Sequence, residues 1–176
     1  SALVTPIASR VFAMAPGVSD AQFAELATST EVASGTRVKT SETGRAIVEG
    51  SHEAFLDFNA EIVIASRDAK GSRIELEAGK TWSRVKKTFD SGEFYELKTP
   101  NAVAVVRGTS FGLYFEHGDT TTLIVTEGEV HLIAKDTETG GILPDTEVSV
   151  GPGHKAVRKG DEPIVVSAIT DADKGE

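Results

Sequence analysis

The sequence has no cysteine, one tryptophan, two tyrosines and far fewer basic than acidic residues. Without cysteine, disulfides, thiolate catalysis and Cys-based zinc sites are excluded. With 18 basic against 27 acidic residues, the net charge of −9 disfavours nucleic acid and anionic lipid as partners, since both attract Lys and Arg. No apolar run reaches the roughly 18 residues that span a bilayer. Membrane contact is therefore expected only through a segment outside this sequence.

Short apolar runs that alternate with Gly, Asp, Asn and Ser clusters fill most of the chain and predict strands and turns. A length of 176 residues suits one domain with a substantial core. We expect an all-β single domain, a β-roll or β-sandwich with solenoid-like coiled sheets. Its predicted parts are an N-terminal strand and short helix at 1–35, the β domain at 36–167 and a frayed tail at 168–176.

One N-terminal segment departs from the β pattern. Ser19 is a capping residue, and Phe23, Leu26 and Ala27 follow at helical spacing. The segment 19–28 therefore predicts a short amphipathic helix that packs on the β core.

Glycines separate several pairs of predicted strands. Gly79 lies between strands predicted at 73–77 and 80–86, and Gly128 between 121–126 and 129–134. Since Gly adopts positive φ readily, we expect each to pivot a hairpin. Gly108 is expected to turn the chain between strands predicted at 102–106 and 110–116.

An ordered set of short motifs spans residues 36–160. Its centre is the pattern Phe-x-x-x-x-Thr-Pro-x-Ala-x-Ala-Val-x-Arg-Gly-Thr-x-Phe, which ends at Phe111. Strand motifs at 40–48, 74–82, 122–130 and 148–153 flank this centre. The set resembles the FecR domain family in composition and order, although the spacing from Phe94 to Thr99 is slightly longer than in the family's Phe-x-x-x-Thr-Pro. Its central residues are Phe94, Thr99, Pro100, Ala102, Ala104, Val105, Arg107, Gly108, Thr109 and Phe111.

The resemblance implies a non-enzymatic, extracytoplasmic module that acts through protein–protein contact in the bacterial cell envelope, in signal sensing and relay or as a scaffold. FecR-like domains are all-β, and many follow a membrane helix on its periplasmic side. We therefore expect a periplasmic or cell-surface ectodomain of a membrane-anchored protein. The candidate partner-contact residues are those of the family motif: Thr99, Pro100, Arg107, Gly108, Thr109 and Phe111.

The residues themselves leave structural alternatives open for this motif. Arg107 could meet an acidic partner segment, or it could pair with a neighbouring carboxylate or stack on Phe111 and so fix the corner. Gly108 is expected to adopt positive φ, and Thr109 to hydrogen-bond its own turn.

No catalytic, metal or cofactor site is predicted. His52 and Glu53 are adjacent, and adjacent strand residues point to opposite faces, so they cannot converge on a metal as a cupin-type site requires. His117, His131 and His154 have no ligand spacing. The loop at 136–140 lacks the distal bidentate Glu of a calcium loop and is expected to be a surface turn. No nucleophile elbow, P-loop or dinucleotide motif is present.

The alternative function is a carbohydrate-binding or adhesive module of a surface protein. Trp82, Tyr95 and Tyr114 could form a sugar-stacking face if all three were exposed together. A hydrolase would need two carboxylates at a suitable separation, and nothing in the sequence places them so.

Overall fold

The computed structural model describes residues 2–17, 23–49, 52–68, 71–85 and 94–174. Within these ranges the chain forms fifteen strands and one short helix. The elements are β1 Ala2–Ala8, β2 Val11–Met14, β3 Ala24–Glu25, β4 Thr30–Val32, β5 Arg37–Thr40, β6 Arg45–Glu49, β7 Glu53–Leu56, β8 Glu61–Asp68, β9 Gly71–Arg84, β10 Phe94–Thr99, β11 Ala102–Glu116, β12 Thr120–Ala134, β13 Val148–Val150, β14 His154–Lys159, β15 Val165–Ala168 and α1 Asp171–Lys174.

Three long strands, β9, β11 and β12, organise the sheet because each has different neighbours along its two halves. The first half of β9 pairs with β8 and with β10, whereas its second half pairs with β7 and with β11. The first half of β11 pairs with β10, and its second half pairs with β9. β12 pairs with β14 near its start and with β13 near its end.

The long strands therefore run through two sides of one barrel. The β10 side contains β3, β2, β5, β8, β10 and β13 with one half of each long strand, and the β14 side contains β4, β1, β6, β7, β14 and β15 with the other half. The pairings β9–β10, β10–β11 and β11–β9 form a closed ring. The prediction of an all-β fold is confirmed, and its sheet forms a barrel. The finer prediction of coiled, solenoid-like sheets and the division into three parts stay predictions. The tail expected to fray from residue 168 nevertheless contains the end of β15 and, up to Lys174, the helix α1.

The expected hairpins at Gly79 and Gly128 are wrong, because both glycines lie inside continuous strands. Gly79 has φ 93° and Gly128 has φ 77°, and each sits where its strand passes from one side of the barrel to the other. A β-carbon on Gly79 would lie 2.6 Å from Ala60 Cα, and one on Gly128 would lie 2.5 Å from Thr109 Cγ2. Close packing and positive φ together account for glycine at these bends.

The predicted N-terminal helix is also wrong over its described part. Residues 18–22 lie outside the described residues, and Ala24 and Glu25 form β3, which pairs with β2. Backbone pairing of this segment with the sheet overrides its weak helical periodicity. In the described part of the chain the one helix is α1, near the carboxyl end, and no helix is long and apolar enough to cross a membrane.

Alternating side chains of both sides fill one apolar core. Tyr95 belongs to it: the ring is 2% exposed and makes edge contacts with His52 and Phe111 at centroid distances of 5.2 and 6.4 Å. Its hydroxyl lies 3.2 Å from Ser83 Oγ. Burial raises the pKa of Tyr95 to about 12, although the Ser83 hydrogen bond acts in the opposite direction. Tyr95 therefore cannot belong to an exposed sugar-stacking face.

Candidate functional site

A row of side chains crosses the outer face of the β14 side. Phe55 in β7 is in register with Trp82 in β9, Trp82 with Gly112 in β11, and Gly112 with Ile124 in β12. Because residues directly opposite on one face of a sheet are neighbours, these four positions form a continuous apolar strip perpendicular to the strands. We call this strip and the residues around it the aromatic groove.

Trp82 occupies the centre of the aromatic groove and lies over the backbone of Gly112. A β-carbon on Gly112 would be 2.4 Å from both Cε3 and Cζ3 of Trp82, and 3.2 Å from Cε1 of Tyr114. Only glycine leaves room for the indole ring at this position. Trp82 remains 38% exposed, although a large aromatic side chain is normally well covered. The groove therefore presents an indole surface on a rigid floor.

Charged side chains line the groove beside the apolar strip. The Arg45 guanidinium lies 3.3 Å from the Asp57 carboxylate and 4.1 Å from the centroid of the Phe58 ring. The Lys80 ammonium lies 5.0 Å from the Tyr114 ring centroid, which is a cation–π distance. These contacts orient the Arg45 and Lys80 side chains, which line the same groove as Trp82.

The segment after β15 forms the far wall of the groove. The Ile169 amide donates to the Gly153 carbonyl at 2.9 Å, and the Lys155 ammonium lies 3.0 Å from the Asp173 carboxylate. Hydrogen bonds from the backbone and hydroxyl of Thr170, followed by the one from Lys155, lower the pKa of Asp173 to about 2. Asp173 therefore stays ionised at neutral pH and fastens this wall to β14.

The groove encloses about 870 Å³. Pockets of roughly 300–1,000 Å³ suit small molecules or anchoring side chains. Its charged lining residues are balanced in sign: Arg45, Lys80 and Arg84 against Glu53, Asp57 and Asp173. The groove combines an aromatic anchor with a polar rim, and this arrangement suits a binding site.

A second polar cluster lies inside the barrel around Asn101. The Asn101 amide donates to the carbonyls of Asp119, Arg158 and Gly160 at 2.9, 3.2 and 3.1 Å. Its side-chain oxygen accepts hydrogen bonds from the hydroxyls of Thr99, at 3.2 Å, and Thr121. Asn101 is 2% exposed, so it holds three chain segments together in the interior.

Arg158 completes this cluster, which we call the Asn101 hub. Its side chain is 2% exposed and donates to the carbonyls of Asn101, at 2.6 Å, and Lys135 from Nη1, and to the carbonyl of Glu162 at 3.1 Å from Nε. The Lys135 ammonium in turn donates to the Thr99 carbonyl at 3.1 Å. Burial, and then the charge of Lys98, lower the pKa of Lys135, whereas Glu75 and Glu77 act in the opposite direction.

A family model described as FecR protein matches residues 36–131, which is more than half of the chain. The chain belongs to the FecR protein family. No curated protein matches it. The FecR match includes the floor of the aromatic groove and Asn101, and it ends before Arg158 and the wall at 153–173.

Two crystal structures, at 1.65 and 2.50 Å resolution, resemble the FecR chain in fold. Both are of a candidate anti-sigma factor from Parabacteroides distasonis ATCC 8503. Each has a TM-score of 0.60 and 14% identity, covers 75% of this chain and is itself covered over 59% of its length. The FecR chain thus shares a fold with part of a longer protein.

The structure places the family-motif residues mostly in the interior. Thr99 joins the Asn101 hub, Phe111 is fully buried, and Thr109 is 2% exposed. The Thr109 hydroxyl has no hydrogen-bond partner among the described residues, so the bond expected within its own turn is absent. Buried side chains stabilise the barrel and cannot touch a partner directly.

The other three motif residues differ from these. Pro100 is exposed, and Gly108 has φ 57°, as its sequence context predicts. The expectation that Gly108 separates two strands is wrong, because Ala102–Glu116 forms the single strand β11. Gly108 lies at its bend, where the register with β12 shifts. The Arg107 backbone pairs with Glu129, while its side chain lies outside what the structure describes. Partner contact by this motif stays a prediction, and Pro100 is exposed.

No three potential metal-ligating side chains gather anywhere in the described residues. His52, which directly precedes β7, is buried, whereas Glu53, the first residue of β7, is exposed. In the loop at 136–140, the Asp136 carboxylate accepts from the amides of Glu138 and Thr139 at 2.8 and 3.4 Å. These hydrogen bonds stabilise a surface turn, as predicted for that loop.

Sequence reasoning singled out Trp82 and Tyr114 but missed the rest of the groove. Phe55, Gly112 and Ile124 come from three other strands, and their alignment depends on register. A glycine within the apolar run 111–115 was the available signal, because such a glycine can mark close approach of another group.

Proposed function

We propose that this FecR protein is a non-enzymatic regulatory module of the bacterial cell envelope that works outside the cytoplasm through contact with a protein partner. Membership of the FecR family supports a signalling or regulatory role. The fold shared with a candidate anti-sigma factor supports the same role. The stiffly paired barrel suits a part that binds and transmits.

The observation that carries protein contact is the composition of the aromatic groove. Binding energy at protein interfaces concentrates in Trp, Tyr and Arg side chains surrounded by groups that exclude water. Trp82 provides such an anchor, Tyr114 lies beside it, and Arg45 and Arg84 line the same groove. We therefore assign the principal partner contact to this surface.

The absence of catalysis is part of the proposal. The groove carboxylates of Asp57 and Asp173 are already engaged by Arg45 and Lys155. Their ion pairs organise the walls of the groove. A role in binding does not require these two carboxylates to leave their ion pairs.

Site-specific photo-crosslinking in living cells tests the partner contact. A photoreactive amino acid at Trp82 should give a covalent adduct with one envelope protein, identified by mass spectrometry. The same amino acid at Ser149, an exposed position in β13 on the β10 side, is the matched control. If Trp82 gives no protein adduct, or if both positions give the same adducts, the groove is not the contact surface.

The location can be tested because the chain has no cysteine. A single exposed thiol introduced by Glu138→Cys should react with a membrane-impermeant maleimide in cells whose outer membrane is permeabilised and whose inner membrane is intact. Labelling only after complete lysis would contradict an extracytoplasmic location.

A second candidate function, carbohydrate binding or adhesion, is favoured by the exposed indole of Trp82 beside Tyr114. An aromatic face flanked by charged groups can stack on a sugar ring and bind its hydroxyls. Titration with soluble cell-wall oligosaccharides should then quench Trp82 fluorescence, and Tyr114→Ala should weaken the binding. Unchanged fluorescence at saturating oligosaccharide would exclude this candidate.

A further inference from the structure

The strand β15 is one edge of the sheet on the β14 side, as β4 is another, and β15 lacks the charge that β4 carries. It pairs with β14 alone among the described residues. Natural edges are shortened or carry charges to prevent further pairing. The edge strand β3 has two residues and includes Glu25, β4 includes Glu31, and β13 has three residues. In contrast, β15 has four residues and no charge.

The register fixes which backbone groups of β15 are open. The Ile169 amide donates to the Gly153 carbonyl, so this pair lies in the hydrogen-bonded set of the antiparallel ladder. Hydrogen-bonded pairs recur at every second residue, so the backbone N–H and C=O groups of Ser167 and Val165 also point toward β14. The backbone N–H and C=O groups of Val166 and Ala168 point away from β14. A partner strand could pair with Val166 and Ala168 without disturbing β14.

Three of the four side chains of β15 are apolar, the exception being Ser167, and all four are exposed. Val165 is 63% and Val166 is 41% exposed. Val166 is in register with the buried Ala156, so it extends the core face of the sheet, whereas Val165 lies on the outer face. An added strand would cover both faces of this edge and bury β-branched side chains, which suit strands.

Acidic residues lie on both ends of this apolar edge. Asp161 and Glu162 precede it and Asp171 follows it, whereas the Asp173 carboxylate, which also follows it, is already paired with Lys155. In an antiparallel pair of two β15 strands from two copies, the acidic residues before one strand would approach those after the other. Like charges so placed oppose self-association. The edge is complementary to a strand with basic residues at its ends.

We propose that β15 is a docking edge that takes one additional β-strand from a protein partner, with an uncharged, β-branched centre and Lys or Arg at both ends. Main-chain hydrogen bonds to Val166 and Ala168 provide the pairing, and the flanking charges select the partner. The inference rests on the proposed function in naming the class of protein partner, and it uses a surface other than the floor of the aromatic groove.

Nuclear magnetic resonance with isotope-labelled protein tests the proposal. The probe is the peptide Lys-Lys-Thr-Val-Thr-Val-Thr-Lys-Lys, blocked at both ends. It should shift the amide signals of Val166 and Ala168 most strongly and slow their hydrogen exchange. The same peptide with Glu in place of Lys should bind about tenfold more weakly at low salt. Equal binding of both peptides, or shifts confined to other strands, would overturn the proposal.

Two controls separate edge pairing from nonspecific attraction. Val166→Pro removes an outward-facing donor and should abolish peptide binding, whereas Val165→Thr keeps a β-branched residue and should change affinity by less than about twofold. Should Val166→Pro unfold the protein, a peptide N-methylated at alternate central residues replaces it, and its undiminished binding to the unaltered protein would refute backbone pairing.

The failure of this inference differs from failure of the proposed function. Crosslinks from Trp82 to an envelope protein that persist in the Val166→Pro variant, together with no peptide binding at β15, would refute the docking edge alone. Sedimentation equilibrium that shows a dimer abolished by Val166→Pro would identify a second copy as the occupant and overturn the proposal. A monomer is expected.

Discussion

Replacement of the Asn101 side chain should cost more stability than its small size suggests. Asn101→Ala removes an amide that donates to three backbone carbonyls and an oxygen that accepts from Thr99 and Thr121. An amide has two N–H groups, so about four good hydrogen bonds are lost, each with a net contribution of about 0.5–1.5 kcal/mol. Thr99 and Thr121 can still bond each other, since their hydroxyl oxygens lie 2.6 Å apart.

We therefore expect Asn101→Ala to lower the free energy of unfolding by about 3 kcal/mol. For a chain of this size the corresponding fall in Tm is about 6–12 °C. Urea unfolding followed by circular dichroism, with calorimetry for Tm, measures both quantities. Ser149→Ala, an exposed change in β13, should stay within about 0.5 kcal/mol. A loss below about 1 kcal/mol for Asn101→Ala would refute the view that this residue ties the barrel segments together.

Three further results are expected. Gly112→Ala places a methyl group 2.4 Å from the Trp82 ring, so the ring should be displaced, Trp82 emission should change, and stability should fall by about 1–3 kcal/mol; an unchanged spectrum would contradict the close approach. Ultraviolet titration should show Tyr95 ionising near pH 12. Because burial raises the folded-state pKa of Tyr95 above 10, the stabilisation linked to this group is complete below pH 10. The free energy of unfolding should then fall by about 3 kcal/mol as pH rises to about 12. A titration that shows two tyrosines with ordinary pKa values would contradict the burial of Tyr95. Carbon-detected magnetic resonance should give Asp173 a pKa of about 2. The contribution of its carboxylate to folding stability is then present above pH 3.8 and lost as pH falls through about 2. A pKa above 3.8 would contradict the hydrogen bonds of Asp173 with Thr170 and Lys155.

The sequence was sufficient for the fold class and for the FecR family, because both depend on local patterns. Alternating apolar residues and the ordered motifs from Thr99 to Phe111 are visible without any knowledge of pairing. The barrel required more, since whether Gly79 and Gly128 reverse the chain or bend it depends on which strands lie beside them. A glycine with positive φ can form either a hairpin turn or a bend inside a continuous strand.

The candidate site was harder to predict than the fold. Trp82 and Tyr114 could be noticed as rare aromatic residues, but Tyr95, equally rare, is buried against His52 and Phe111. Alternation along a strand shows that two faces exist, and the register decides which face is covered. The alignment of Phe55, Trp82, Gly112 and Ile124 across four strands is not encoded in any short window.

The Asn101 hub shows a related limit. Thr99, Pro100 and Asn101 are conspicuous as a turn motif, and an exposed role for the motif was the natural expectation. Asn101 instead satisfies carbonyls of residues up to 59 positions away. Long-range hydrogen bonds of this kind leave no periodic trace in the sequence.

The continuity of β9, β11 and β12 through both sides of the barrel has a consequence for how the molecule opens. Each side of the barrel includes one half of β9, β11 and β12, so we expect that neither side unfolds while the other stays folded. Amide protons in both halves of each long strand should therefore exchange with solvent through a single global event, at one common free energy. A force applied to the outer face of one side would therefore reach the other side through the covalent backbone of these three strands.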